Sequence, residues 1–289
     1  MQSIQIEKCS SACGPDECDT FKFMAKKLGI KVLHPGGLKA TELLADRCGI
    51  SKDMTILDAG CGSGSSSVFL ARKYGCKVVG IDIDESSLVK AKALARRNRV
   101  HNKVTYKLAD ISELPFQDQT FNGAIFQASL IFSEKSKALK AVNKKICQQG
   151  FVGAIELAWK SSPPYDMVLK VKDVLCAAAV NAETHPDWVN LFKETGFDVV
   201  NSEFRDLDLN FRGILENEGL FSTLRVALKC AFDSSSRKKT QDVANLFKQT
   251  GEYLGYGIYV GRKTKVDRGG TKCQDSRALG NTNYREIQC

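Results

Sequence analysis

Residues 56–75 read ILDAGCGSGSSSVFLARKYG, and whether this stretch is a ligand loop or only a tight turn in a buried sheet decides the fold. Ile56-Leu57 end an apolar run, the glycines at 60, 62 and 64 reverse the chain, and a helical stretch follows. A strand that turns through glycines into a helix brings main-chain amides to a helix N-terminus, where the dipole and unpaired N–H groups favour negative charge. A carboxylate or a phosphate is expected there. The dinucleotide fingerprint G-x-G-x-x-G, counted from Gly60, needs Gly or Ala at 65, where this chain has Ser65. From Asp58 the spacing is instead D-x-G-x-G-x-G, ending at Gly64.

Outward from the turn, apolar segments at 54–59, 77–82, 103–109, 121–128 and 151–158 read as strands buried on both faces. Helical stretches at 64–74, 85–98 and 134–147 separate them. This alternation gives right-handed crossovers and a parallel sheet covered on both sides. Further on, helices near 164–181 and 186–195 precede the strand-like GFDVVNSEF, a long helical excursion and the final strand-like YGIYVGRK. The expected fold is α/β: a Rossmann-like, seven-stranded, mostly parallel sheet with helices on both faces and helical caps at both ends.

The chain divides accordingly. Residues 1–35 form a helical lid with a Cys-rich start, in which Phe21, Met24, Ala25 and Leu28 share one helical face. Residues 36–207 form the core, 208–252 a helical cap insertion, 253–263 the closing strand and 264–289 a mobile tail.

Composition narrows the class. With 43% hydrophobic and 26% charged residues, the 289-residue chain can bury a full core. It has no run of about 18 apolar residues and no signal-peptide pattern, so a cytoplasmic protein without a membrane span is expected. The net charge of +9 raises the question of nucleic acid, but the basic runs at 96–103 and 237–239 lack interleaved aromatics. They read as solvated surface, and a nucleic-acid partner is not expected. Eleven cysteines without a secretory context read as reduced thiols. Cys9, Cys13 and Cys18 are the candidate metal ligands, yet their C-x3-C-x4-C spacing lacks the C-x2-C pairs of common zinc sites, and no metal is expected.

Acidic residues stand at the ends of later strands. Asp82 lies about 20 residues past the glycines, where a carboxylate commonly accepts from two ribose hydroxyls. Asp110 follows the next strand, where it can accept from an adenine amino group, and Gln127 ends the one after that. Ligands of open α/β sheets bind at those strand ends, so an adenosine-containing ligand accounts for both acids.

This constellation resembles the class I S-adenosylmethionine-dependent methyltransferases over roughly residues 34–205 and the last strand. It is most similar to the small-molecule branch with ubiquinone/menaquinone, sterol and arsenite methyltransferases (methyltransferase type 11). LDAGCGSG, VVGIDID, ADISELPFQDQTFNGAIFQ and ALKAVNKKICQQGFVGAIE carry the likeness, with Cys147-Gln148-Gln149-Gly150 replacing the usual Lys-Pro-Gly-Gly turn. The resemblance implies S-adenosyl-L-methionine as cofactor and S-adenosyl-L-homocysteine as product. By it, Asp58, Gly60, Cys61, Gly62 and Gly64 build the loop whose amides hold the methionine moiety. Asp82 takes the ribose, Ile83 one adenine face, Asp110 and Ile111 the adenine edge, and Gln127 sits beside the sulfonium.

Methyl transfer needs alignment and exclusion of water more than a dedicated base. The candidate catalytic residues are His34, whose ordinary pKa lies near neutrality, and Glu156, a carboxylate near the end of a buried strand. Each also has a structural reading, as a turn-ordering histidine and as half of a buried ion pair. Phe21, Phe23, Trp159 and the tyrosines at 253, 256 and 259 are either walls of an apolar acceptor pocket or plain core. The expected activity is methyl transfer to a small-molecule acceptor. The alternatives are an RNA or protein methyltransferase, a thiol or arsenite-type enzyme, and a non-enzymatic cofactor- or metal-binding module.

Overall fold

The computed structural model describes residues 19–207, 215 and 220–264. One seven-stranded sheet runs through it in the order β3-β2-β1-β4-β5-β7-β6. Its strands are β1 (Thr55–Ala59), β2 (Lys77–Asp82), β3 (Val104–Leu108), β4 (Phe121–Gln127), β5 (Ile146–Trp159), β6 (Phe197–Asp206) and β7 (Leu254–Lys263). β1 to β5 pair in parallel, and β7 inserts antiparallel between β5 and β6. The strand order reverses at β1, with β2 and β3 laid on one side and β4 and β5 on the other, so the carboxyl ends of β1, β2 and β4 open one crevice.

Side chains of consecutive strand residues point to opposite faces, and each face has its own core. Ile56 of β1 packs with α2 (Gly37–Cys48), α3 (Ser65–Lys73) and α4 (Glu85–Arg97). Leu57 packs on the other face, with α5 (Lys135–Lys145), α6 (Tyr165–Val174) and α7 (His185–Glu194). Trp188, Phe121, Phe126, Phe192, Phe197 and Tyr259 are fully buried there.

Three elements depart from the sequence reading. The helix expected to reach 147 stops at Lys145, because β-branched Ile146 joins β5 opposite Phe121, with Gln149 left-handed at φ 65° where the register shifts. The helix expected over 164–181 ends at Val174, whose carbonyl accepts the Thr20 hydroxyl at 2.6 Å. A short 3-10 turn, Ala177–Asn181, then carries Ala178 and Ala179 into the core.

The third departure is at the start. After α1 (Asp19–Lys22) the chain widens into a π-helical turn, Phe23–Leu28, closed by Gly29 at φ 75°. The wider register buries Phe23 together with Leu28, instead of the expected face of Phe21, Met24, Ala25 and Leu28. Phe23, Leu28 and Ile30 form a small separate core with Val226 of α8 (Leu220–Phe232). α9 (Ser234–Thr250) returns alongside α8 and places Leu246 in the main core.

Candidate functional site

The D-x-G-x-G-x-G turn is held by its own main chain. The amides of Gly60 and Cys61 both donate to the Ile81 carbonyl at 2.9 Å, and Gly64 N donates to the Cys61 carbonyl at 2.9 Å. Gly62 N donates to Asp82 Oδ2 at 2.7 Å, and Asp84 N donates to Asp82 Oδ1 at 3.0 Å. The Gly60, Cys61 and Gly62 amides, expected to face a ligand, thus have partners inside the turn. Residues of the turn and of the N-terminus of α3, among them Ser65 and Ser66, line the cavity described below.

The three glycines differ in what they permit. All have positive φ, at 80°, 49° and 79°. A Cβ on Gly60 would meet Ser129 Cβ at 2.5 Å, and one on Gly64 would meet the Tyr106 hydroxyl at 2.3 Å. A Cβ on Gly62 would meet nothing within 4 Å. Gly60 and Gly64 thus serve close packing, whereas Gly62 faces open space.

That space is a cavity of about 960 Å³ at the carboxyl ends of β1, β2 and β4. Asp58, Gly60, Cys61, Gly62, Asp82, Ile83, Asp110, Ile111, Gln127 and His34 all line it, although sequence places them on five separate segments. Gly64 and Glu156 do not line it. Ile83 is 58% exposed, an apolar side chain left open at the cavity edge. Asp110 Oδ1 accepts the Ser112 amide at 2.6 Å and fixes the loop after β3.

Burial sets the electrostatics. Asp58 accepts from Ser67 Oγ at 2.5 Å, and desolvation pushes its carboxyl up to about 6. Desolvation also raises Asp82, opposed by the main-chain donors Asp84, Gly62 and Ile83. Burial and the nearby acids hold the Cys61 thiol well above its ordinary value, so it stays protonated and serves as a small residue.

Both candidate catalytic groups have structural work. His34 is pushed down to about 4 by desolvation, so it is neutral at pH 7. Its Nδ1 lies 3.2 Å from the Pro35 carbonyl, which makes that nitrogen the donor. Nε2 then accepts from hydroxyls, with Thr41 Oγ1 at 3.2 Å and Ser66 Oγ at 3.4 Å. Gln127 Nε2 donates to the same Thr41 oxygen at 2.8 Å, so His34, Thr41 and Gln127 form one relay.

Glu156 is fully buried, and its Oε1 accepts the amides of Ser129 and Leu130, each at 3.0 Å. Desolvation pushes it up to about 7. The strand-end carboxylate therefore acts on the loop after β4 and is removed from the cavity. That loop holds Ala128 at φ 55°, a left-handed conformation uncommon for alanine, and Ser129 Oγ donates to the Ala59 carbonyl at 2.7 Å. Sequence reasoning missed this clamp, since no local motif marks a carboxylate that binds amides 26 and 27 residues away.

The roof comes from the N-terminal segment. Phe21, Ala25, Ile30, Val32 and Leu33 line the cavity with Phe132, and Phe21 meets Phe132 edge-on at 5.1 Å. Phe23 belongs instead to the small core under α8, and Trp159, Tyr256 and Tyr259 are buried away from the cavity. Arg225 of α8 reaches over Gly29 to donate to the Leu28 and Gly29 carbonyls at 3.2 Å and also lines the cavity. The left-handed backbone at 29, φ 75°, favours glycine, and a Cβ there would displace the guanidinium.

Among the described residues no group of three or more His, Cys, Asp or Glu side chains is placed to hold a metal. Cys9, Cys13 and Cys18 lie outside the described residues, as do 208–214, 216–219 and the tail beyond Thr264. Among the described residues no helix is long and apolar enough to cross a membrane. Arg96 and Arg97 are exposed at the end of α4, and Arg237 and Lys238 are exposed on α9.

Residues 56–150 match the family model described as a methyltransferase domain. An uncharacterized methyltransferase, YodH, of Bacillus subtilis is 25% identical over 244 residues, covering 83% of this chain and 97% of its own. The O-methyltransferase resE of Aspergillus sclerotiorum is 28% identical over 177 residues, 61% of this chain and 66% of its own. A crystal structure of a SAM-dependent methyltransferase from Geobacter sulfurreducens in complex with S-adenosyl-L-homocysteine superposes with a TM-score of 0.65 at 19% identity. It covers 84% of this chain and 98% of that one.

Proposed function

The chain is a class I S-adenosylmethionine-dependent methyltransferase, and we propose that it methylates a small, largely apolar acceptor held between the turn after β1 and the N-terminal roof. The single observation that carries this reading is the cavity itself. It is continuous from Gly62 and Asp82 to an apolar wall of Phe21, Ile30, Leu33 and Phe132.

The site fits the cofactor. Gly62 leaves open the space a Cβ would fill, and Gln127 Oε1 is a buried acceptor without a hydrogen-bond partner at the cavity wall. S-adenosylmethionine, when bound, supplies an electrophilic methyl on a sulfonium that departs as a neutral thioether. In this reading Asp82 takes the ribose hydroxyls, Ile83 covers one adenine face, and Asp110 with Ile111 reads the adenine edge. The carbonyls of the glycine turn face the amino group, the α3 N-terminus faces the carboxylate, and Gln127 Oε1 offers negative potential to the sulfonium. Asp58 and Ser67 hold the turn from below.

The roof excludes water, and the His34–Thr41–Gln127 relay fixes the carboxamide. His34, held neutral with its lone pair in hydrogen bonds, orients and does not take a proton. The acceptor atom therefore brings its own lone pair, as a hydroxyl or thiol that ionises readily does. Relatives named as O-methyltransferases support such an acceptor.

Calorimetry with S-adenosylmethionine, followed by labelled methyl transfer to a panel of apolar phenols, enols and thiols, tests the reading. Asp82→Ala is expected to weaken cofactor binding about 10–100-fold. Label that appears only on RNA or protein in a cell extract, with no small molecule accepting, overturns the small-molecule acceptor.

A further inference from the structure

α8 carries its apolar residues on the wrong side for a helix that only packs on a protein. Of the twelve large apolar side chains exposed among the described residues, five are its Leu220, Phe221, Leu224, Leu228 and Phe232. Phe221 and Phe232 are 89% and 87% exposed. At 100° per residue, Phe221, Leu224, Leu228 and Phe232 form one stripe with Leu220 at its edge. The opposite face, with Thr223 and Val226, is the one buried against the N-terminal roof.

The charges within α8 have one sign, and Asp233, just past its C-terminal end, is paired with Lys27. α8 contains no acidic residue, and Arg225 and Lys229 flank the stripe on the side facing the roof. Both donate to main-chain carbonyls there, Arg225 to Leu28 and Gly29 and Lys229 to Lys27. Arg237 closes the C-terminal end, donating to the Cys230 carbonyl at 2.9 Å and the Ala231 carbonyl at 2.5 Å. Residues 220–250 hold six Lys and Arg against two Asp.

We propose that α8 is a membrane-surface docking helix, lying in the plane of an anionic bilayer with Phe221, Leu224, Leu228 and Phe232 in the acyl boundary and the cations at headgroup level. An apolar stripe with aromatic ends and a basic flank is the arrangement that binds such a surface. Charge decides against a second copy as the occupant, since an isologous pairing of stripes would bring two cationic flanks together. Arg225 also lines the cavity, so docking sets the cavity rim beside the lipid, a position suited to an acceptor that resides there.

The test uses the full chain and vesicles, with sedimentation as the readout, and does not depend on methyl transfer. Vesicles of phosphatidylcholine with about one-third phosphatidylglycerol are expected to carry the protein down, phosphatidylcholine alone much less, and binding should fall as salt rises. Phe221→Ser with Phe232→Ser is expected to lower the bound fraction at least about tenfold with an unchanged thermal melt. Should the double variant misfold, Phe232→Ser alone carries the test with a smaller loss. Absence of binding to either vesicle, binding that the double variant retains, or a size-exclusion dimer that the same variant splits each overturns the proposal.

Discussion

The two sides of the cavity are built in opposite ways. The donor side is a local device: a turn of five residues between β1 and α3 is closed by its own amides and by one carboxylate 20 residues away. The roof is assembled from the two ends of the described chain, with Arg225 bonded to carbonyls 196 and 197 residues earlier and Lys27 paired with Asp233. The first is part of the main core and inherits its stability. The second rests on four buried side chains, Phe23, Leu28, Ile30 and Val226, and opens at lower cost.

The sharpest way to break that contrast is Gly60→Ala. Positive φ and the approach to Ser129 together are expected to cost about 3 kcal/mol, a fall of roughly 5–10 °C in Tm for the whole core by calorimetry. Phe23→Ala is the counterpart in the roof. It should lower turnover about tenfold and speed amide exchange in residues 20–33, while the main unfolding transition stays in place.

A third measurement concerns the clamp beneath both. Glu156 is raised from 4.5 to about 7 in the folded protein, so between those pH values the native state holds a proton that the unfolded chain lacks. Its contribution is present below about pH 4.5 and is lost as pH rises through 7. Glu156→Gln, which keeps an acceptor for Ser129 and Leu130, is expected to flatten this part of the Tm-versus-pH curve. A curve unchanged from wild type refutes the assignment. The smallest effect belongs to Gly62→Ala, about 1 kcal/mol on folding because nothing lies near the new methyl. Cofactor affinity should nevertheless drop about tenfold, separating a glycine that serves the ligand from one that serves packing.

The same contrast explains what was legible in sequence. Strands β1 to β4 fall within a residue of the segments read from hydrophobic runs; β1 and β4 are largely buried and apolar, whereas β3, at the sheet edge, leaves Thr105 and Leu108 exposed and is not the doubly buried strand expected. The residues expected around an adenosine ligand line one cavity, apart from Gly64, since glycines and strand-end acids are encoded locally. The rest needed tertiary contacts. Nothing near Val174 says that Thr20 will take its carbonyl and end α6. Nothing in the helical spacing of Phe21, Met24 and Leu28 announces a π turn that buries Phe23 instead. Glu156 was visible as a buried acid, but its partners are amides of a distant loop.

The two-ended roof also imposes an order on synthesis. Phe23, Leu28 and Ile30 leave the ribosome some 200 residues before Val226, the side chain that covers them. The sheet through β5 and the turn after β1 can form while that segment is still unpartnered, so a nascent chain presents a complete donor side under an unlatched roof. A chaperone that reads exposed apolar residues would find Phe23, Leu28 and Ile30 available for most of translation.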